Sequence, residues 1–158
     1  MTEDRLNSLK DILKDFDIVF GDVNGTPDIT IKKEEVINVC KTLKGAGDMN
    51  WLVDAVSVDR FKKVERFEMV YNLRSGKHKD RMFLRIKLDS KKPEMESLTQ
   101  VWTSANWYER EAYDMMGINF INHPDLRRMY MPEDYEYYPL RKDFPLMGIP
   151  GSIPLPNK

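Results

Sequence analysis

Leu6, Leu9, Leu13 and Phe16 recur at three- and four-residue spacing with Lys and Asp on the opposite side, which predicts an amphipathic helix at the start of the chain. GDVNGTP, residues 21–27, reads as a turn region, and residues 28–31 (DITI) read as a short strand. Val36, Ile37, Cys40 and Leu43 return to helical spacing, which Gly45 and Gly47 end. Residues 51–59, WLVDAVSVD, form a mostly apolar, β-branched strand expected to be covered on both faces. The clearest periodicity comes next. Phe67, Met69, Tyr71 and Leu73 alternate along one run, Met82, Leu84, Ile86 and Leu88 along the next, and the link RSGKHKD predicts a hairpin between them.

Ser97-x-x-Gln100 and Asn106-x-x-Glu109 both have capping-box spacing, predicting a short helix from 98 and a second from 107 to 116, ended by Gly117. From His123 the texture changes, because seven of the nine prolines fall in the last 36 residues and exclude regular helix or central strand there. The same segment carries Tyr130, Tyr135, Tyr137, Tyr138, Leu140 and Phe144, an aromatic content unlike that of disordered tails. The reading is an α/β fold of the α+β type. Residues 1–122 form a single domain with a small mixed sheet, an antiparallel hairpin within it and helices packed on it; residues 123–158 form an extended Pro-rich C-terminal arm lying on a surface.

Charge adds one local feature. The chain holds 25 Lys/Arg and 26 Asp/Glu, a net of −1 that names no partner. Residues 60–92, however, hold twelve Lys/Arg against four Asp/Glu, so the hairpin is basic. Lys77, Lys79, Arg81 and Arg85, with Tyr71 or Phe83 stacking on bases, make a nucleic-acid-binding module one alternative. Against it, Phe67 and Tyr71 lie on the apolar face, where they would pack in a core.

Cys40 is the only cysteine, so the chain cannot form an internal disulfide, a CxxC zinc site or the four thiolates of an iron–sulfur cluster. Its place on an apolar helix face makes it a core residue. No apolar run is long enough to cross a membrane, and the opening MTEDRLNSLKDILKDF is too acidic for a signal peptide; a reducing compartment is expected.

Candidate chemistry concentrates in WYEREAYDMMGINFINHPDLRRMYMP, residues 107–132. An acid/base enzyme would use Glu109, Glu111 and His123, yet two residues along a helix diverge by about 200°, so the two glutamates do not converge on one substrate. The plainer reading makes Glu109, Arg110, Glu111 and Asp114 solvated or salt-bridging, with Arg110 and Asp114 an i,i+4 pair. Only two histidines exist and His78 sits in the hairpin turn, which leaves too few ligands for a metal. His123 precedes Pro124 and reads as a hydrogen-bonded structural residue at a corner. No GxGxxG, GxxxxGK[ST] or GxSxG motif occurs.

Glu109-Arg110-Glu111, Asp114, Met115-Met116, His123, Arg127, Met129 and Tyr130 fall at the spacing of a known signature, and VDAVSVD, FEMVYNLRS, SANWYERE and PEDYEYYPLRKDFPL surround them. The chain thereby resembles the 30-kDa, or C-type, subunit family of complex I-type NADH–quinone oxidoreductases, which includes subunits of archaeal deazaflavin dehydrogenases. The resemblance implies a non-catalytic peripheral subunit of a membrane-associated, proton- or ion-pumping oxidoreductase. It would sit on the cytoplasmic side of the membrane, packed on the hydrogenase-like large subunit near the quinone-type acceptor site, with Fe–S subunits as neighbours. No cofactor is implied in this chain; Fe–S clusters and flavin or deazaflavin belong to the partners, and membrane contact comes only through the complex. The resemblance makes Glu109, Arg110, Glu111, Asp114, His123, Arg127, Arg128, Arg141 and Lys142 signature and interface residues. The arm's arginines suit bidentate pairing with partner carboxylates, while the acids either hold the arm or take a partner Arg.

Overall fold

A computed structural model describes residues 1–151. The basis of the fold is the alternation at 67–88. Strands β4 (Phe67–Arg74) and β5 (Arg81–Leu88) pair antiparallel from Phe67↔Leu88 to Arg74↔Arg81, so that all eight alternating apolar residues share one face, where each is fully or almost fully buried. β3 (Trp51–Asp59) adds antiparallel to β4, and β2 (Thr26–Ile31) adds parallel to β5. β1 (Ile18–Val23) closes the order β1-β2-β5-β4-β3, a mixed five-stranded sheet as expected. Helices α1 (Glu3–Ile12), α2 (Val36–Gly45) and α3 (Ala105–Met116) contribute their apolar faces to the core on the sheet's buried side. Leu9 and Leu13 from the first helical stretch and Val36, Cys40 and Leu43 from the second reach that core, as their spacing predicted. A small parallel pair, β6 (Glu94–Glu96) with β7 (Asn119–Ile121), brackets α3.

Two local expectations are corrected. The turn predicted across 21–27 is only two residues long: Asn24 (φ 51°) and Gly25 (φ 80°) form it, and the flanking residues extend into the β1–β2 hairpin. Positive φ at both positions is what a twist-compatible two-residue turn demands, and Asn-Gly supplies it most readily. Pro27 sits in β2 outside the register shared with β5, where no ladder bond to that strand is lost. β3 is not covered on both faces. It is an edge strand, and Trp51, Val53 and Val56 are 58%, 45% and 47% exposed, because the helices cover one side of the sheet only.

The capping predictions also shift. Ser97 does cap, accepting from Thr99 N–H at 3.1 Å, but the helix it starts is a single 3-10 turn, Leu98–Gln100. α3 starts at Ala105 rather than 107, which places Asn106 in the first turn and turns Glu109 inward instead of back toward the cap. Its end at Gly117 is as predicted: φ is 71° and the Gly117 N–H donates to Tyr113 O.

Candidate functional site

α3 sends its signature residues in three directions. Glu109 points into the core, Arg110 and Asp114 point under the arm, and Glu111 points to solvent. The expected surface pair between Arg110 and Asp114 does not form, because both side chains have stronger demands from the arm. Arg110 donates through Nε to Arg127 O (3.2 Å) and through Nη2 to Arg128 O (3.4 Å), and its guanidinium stacks 5.1 Å from the Trp107 ring. Asp114 is fully buried. One oxygen takes the Arg128 guanidinium at 2.7 Å, and the other accepts three successive backbone N–H groups, from Met129 (2.9 Å), Tyr130 (2.7 Å) and Met131 (3.1 Å).

Burial by itself would raise the Asp114 pKa. The Tyr130 N–H, the Arg128 guanidinium and the N–H groups of Met131 and Met129 outweigh it, and the carboxyl titrates below its usual range. Converging N–H groups on one anion make a backbone nest, here filled by a side chain of the same protein. Its effect is to fix the turn at 128–131 against α3.

Glu109 has a different setting. Ser97 Oγ donates to it at 2.6 Å and Leu98 N–H at 2.7 Å, with Tyr71 Oη at 3.5 Å. Burial pushes its pKa up to about 7, against the opposing pull of the Ser97, Leu98 and Tyr71 bonds. His123 Nε2 lies 3.9 Å from the same carboxyl. The histidine accepts Asp125 N–H on Nδ1 (3.0 Å), which puts its proton on Nε2, facing Asn106 O at 3.3 Å. Burial lowers its pKa, so it is a neutral corner residue of the kind its place before Pro124 suggested. Cys40 is buried in the same region, and burial pushes its thiol pKa far up.

The arm is tied down a second time further on. Arg141 Nε donates to Met116 O at 2.7 Å, one of the carbonyls left without a helical partner at the end of α3, and its guanidinium lies 4.3 Å from the Tyr138 ring and 5.0 Å from the Phe67 ring. Leu140 N–H donates to Met115 O, and Lys142 N–H to Asp59 Oδ2 at 2.8 Å. Arg66 grips Asp59 with two bonds (2.7 and 2.9 Å) and Asp143 with two more (both 2.9 Å). Arg66, first among these partners, holds the Asp59 carboxyl well below the usual range. Asp59, Arg66 and Asp143 were not singled out from the sequence. Only the acid ending the apolar run VSVD hinted at them.

Residues 127–143 therefore lie on the chain's own α3 and on the β3–β4 connection. Arg128 and Arg141 make their contacts there; the Arg127 side chain stays exposed beside Asp125, and the Lys142 and Glu111 side chains face solvent without a hydrogen-bonding partner among the described residues. The tail from 152 lies outside the described residues.

The two alternative chemistries find little geometry. Glu109 and Glu111 diverge as helical spacing requires; Glu111 borders an open groove of about 330 Å³ that neither Glu109 nor His123 lines. On the hairpin, Tyr71 is fully buried and so unavailable for stacking, Arg85 is held by Asp28 (2.6 Å) and Glu68 (2.8 Å), and Lys77 reaches Asp48 (3.1 Å). Among the described residues no three His, Cys, Asp or Glu side chains gather to hold a metal ion.

Comparison with known proteins bears on the same residues. The family described as "Respiratory-chain NADH dehydrogenase, 30 Kd subunit" matches residues 29–150. The NADH-quinone oxidoreductase C subunit of Geotalea uraniireducens is 44% identical over 124 residues, covering 78% of this chain and 76% of the relative. The protein of the same name from Trichlorobacter lovleyi is 45% identical over 127 residues, covering 80% and 78%. Among solved structures, a trypsin-resistant fragment of Nqo5 superposes with a TM-score of 0.66 at 32% identity, over 77% of this chain and 99% of the fragment. A chain of the membrane-bound sulfane sulfur reductase, an archaeal respiratory membrane complex, shares the fold with a TM-score of 0.79 at 19% identity, over 92% and 88%. The family match spans β2 through the clamped arm and takes in the Glu-Arg-Glu helix, Asp114 and His123: the chain belongs to the 30-kDa subunit family of respiratory-chain NADH dehydrogenases.

Proposed function

We propose that the chain is a subunit without a redox group of its own, working in the peripheral arm of a complex I-like, membrane-associated oxidoreductase. Family membership supports the assembly. The observation that carries the non-catalytic role is the fate of the signature acids: Glu109 and Asp114 are buried and satisfied by donors from the same chain, so they fix the geometry of α3 and the arm. In this reading the chain packs on the hydrogenase-like large subunit near the quinone-type acceptor site, on the cytoplasmic side of the membrane, with Fe–S subunits as neighbours. Clusters and flavin or deazaflavin sit in those neighbours, consistent with a chain whose single thiol is buried. Among the described residues no helix is long and apolar enough to cross a membrane, which fits attachment through partners.

Arm residues suit such a role. Proline restricts the unfolded arm and lowers the entropy lost when it is ordered, and Tyr, Met and Arg are enriched where proteins meet. Affinity purification of the tagged chain from solubilised membranes, followed by mass spectrometry, tests the proposal. A hydrogenase-like large subunit and Fe–S subunits are expected in stoichiometric amounts; recovery of the chain alone refutes it.

A further inference from the structure

The exposed edge of β3 differs along its length. At its start the strand is blunted internally: Ser104 Oγ donates to Leu52 O (3.4 Å), Tyr108 Oη donates to Val53 O (2.8 Å), and the register with β4 slips between Leu52 and Asp54. A bulge and capped carbonyls are devices that keep an edge from pairing. Residues 54–57 have no such protection among the described residues. They form one wall of the 330 Å³ groove, whose other sides come from Tyr108, Glu111, Ala112 and Met115 of α3 and from Leu140 of the arm. In an antiparallel edge strand alternate residues turn their N–H and C=O groups outward, so this segment presents main-chain donors and acceptors beside an apolar trough.

Two carboxylates border that trough from opposite sides of the strand: Asp54, which pairs with Asn72 and so turns to the open face of the sheet, and Glu111 from the helix side. Both are exposed, and neither has a hydrogen-bond or ion-pair partner among the described residues. Among the described residues no basic side chain lines the groove. The nearby apolar residues Val56 and Leu140 are 47% and 56% exposed.

We propose that the 54–57 edge and its groove are the docking site for an extended segment of a partner subunit, which adds a strand to β3. Its chemistry follows from the lining. Side chains of an added strand alternate, so a Lys or Arg of the segment lies beside Asp54 on the open face of the sheet with an apolar neighbour two residues away over Val56, while the intervening side chains meet Glu111, Met115 and Leu140 on the helix side. A second copy of this chain fits poorly, because pairing β3 with β3 would gather four uncompensated carboxylates at one junction. The proposal rests on the reading that the chain works within a multisubunit complex, and it adds where and how one contact is made.

The test places the photo-cross-linking residue p-benzoylphenylalanine at Val56, and as a control at Val19 on the opposite edge strand, in the full chain within the purified complex. Val56 is expected to give an adduct to a partner chain, mapping to a stretch that combines Lys or Arg with apolar residues, and Val19 no adduct to that stretch. An intact complex in which Val56 gives no interchain adduct overturns the proposal, as does an adduct to the chain's own 152–158 tail or to a second copy. In parallel, Asp54→Lys with Glu111→Lys, both exposed positions, is expected to lower retention in the complex about tenfold at near-physiological salt, with the melting temperature of the isolated chain unchanged. Unchanged retention of this charge-reversed chain overturns the basic-segment assignment. Recovery of the unmodified chain without any partner instead defeats the subunit reading, and the docking site with it.

Discussion

Asp114→Asn should release the turn at 128–131 while leaving the sheet and its core folded. The carboxylate is surrounded by donors only: the Arg128 guanidinium on one oxygen and the N–H groups of Met129, Tyr130 and Met131 on the other. An amide has one acceptor oxygen and one NH₂. Whichever way it turns, the NH₂ meets donors, so either the arginine or the N–H trio loses its acceptor. Hydrogen bonds to charged groups contribute about 1.5–3 kcal/mol each, and removing one partner of a buried ion pair costs about 3–5 kcal/mol. Part of that cost is avoided because the turn can open to water. We therefore expect about 3 kcal/mol to appear in the local opening of 128–131, which at about 1.4 kcal/mol per decade is a hundredfold loss of protection. Amide hydrogen exchange resolved at Met129, Tyr130 and Met131 is the assay, with Leu84 and Ile86 in the central hairpin as internal references. Wild-type protection at the three arm amides in the variant would refute the clamp; equal loss at the references would mean that Asp114 supports the whole fold instead.

Glu109→Gln tests the buried acid through pH. A carboxyl whose folded pKa is raised from 4.5 to about 7 contributes stability that is present below about 4.5 and lost as pH rises to about 7. His123, lowered by burial, runs the opposite way below its ordinary value of 6.5, so the informative quantity is the difference in melting temperature between wild type and variant. That difference should change across pH 4.5–7, and a constant difference would refute a raised pKa. Gly117→Ala should lower the unfolding free energy by at least the ~1–2 kcal/mol that a left-handed conformation costs an L residue, read as a lower denaturation midpoint. Its Cβ would also fall 2.5 Å from Arg141 Nη2 and 2.6 Å from Tyr138 Cζ, pushing the arm off the end of α3. An unchanged midpoint would refute this.

Much of the fold was readable because period decides it. Alternation at 67–88 has one solution once one face is buried, and the three helical stripes needed a surface to cover, which the sheet provides. β1 was missed for a physical reason: FDIVFGDVN mixes apolar and turn-forming residues, and Gly21 and Asp22 look like a turn even though the positive-φ pair beside them confines the turn to two residues. β3 was misplaced because an apolar run reports only that something covers a strand, whether a helix layer of the same chain or another protein. Among the described residues nothing covers Trp51, Val53 and Val56, and of these Val56 falls within the proposed docking edge.

The signature helix was legible in its angles but not in its destinations. Successive residues turn by 100°, so from Glu109 the spacing alone puts Arg110 and Asp114 within about 40° of each other and Glu111 about 200° away. It does not say that Ser97, Leu98 and Tyr71 wait on the first side, that the arm folds back under the second, or that the third opens on a groove. Those facts depend on residues far along the chain, most of all on the arm, whose prolines concealed how closely it returns to α3. In the folded chain the crowding of charge separates into two duties. Glu109 and Asp114 hold this chain's own backbone, and Glu111, without a partner among the described residues, borders the proposed docking groove.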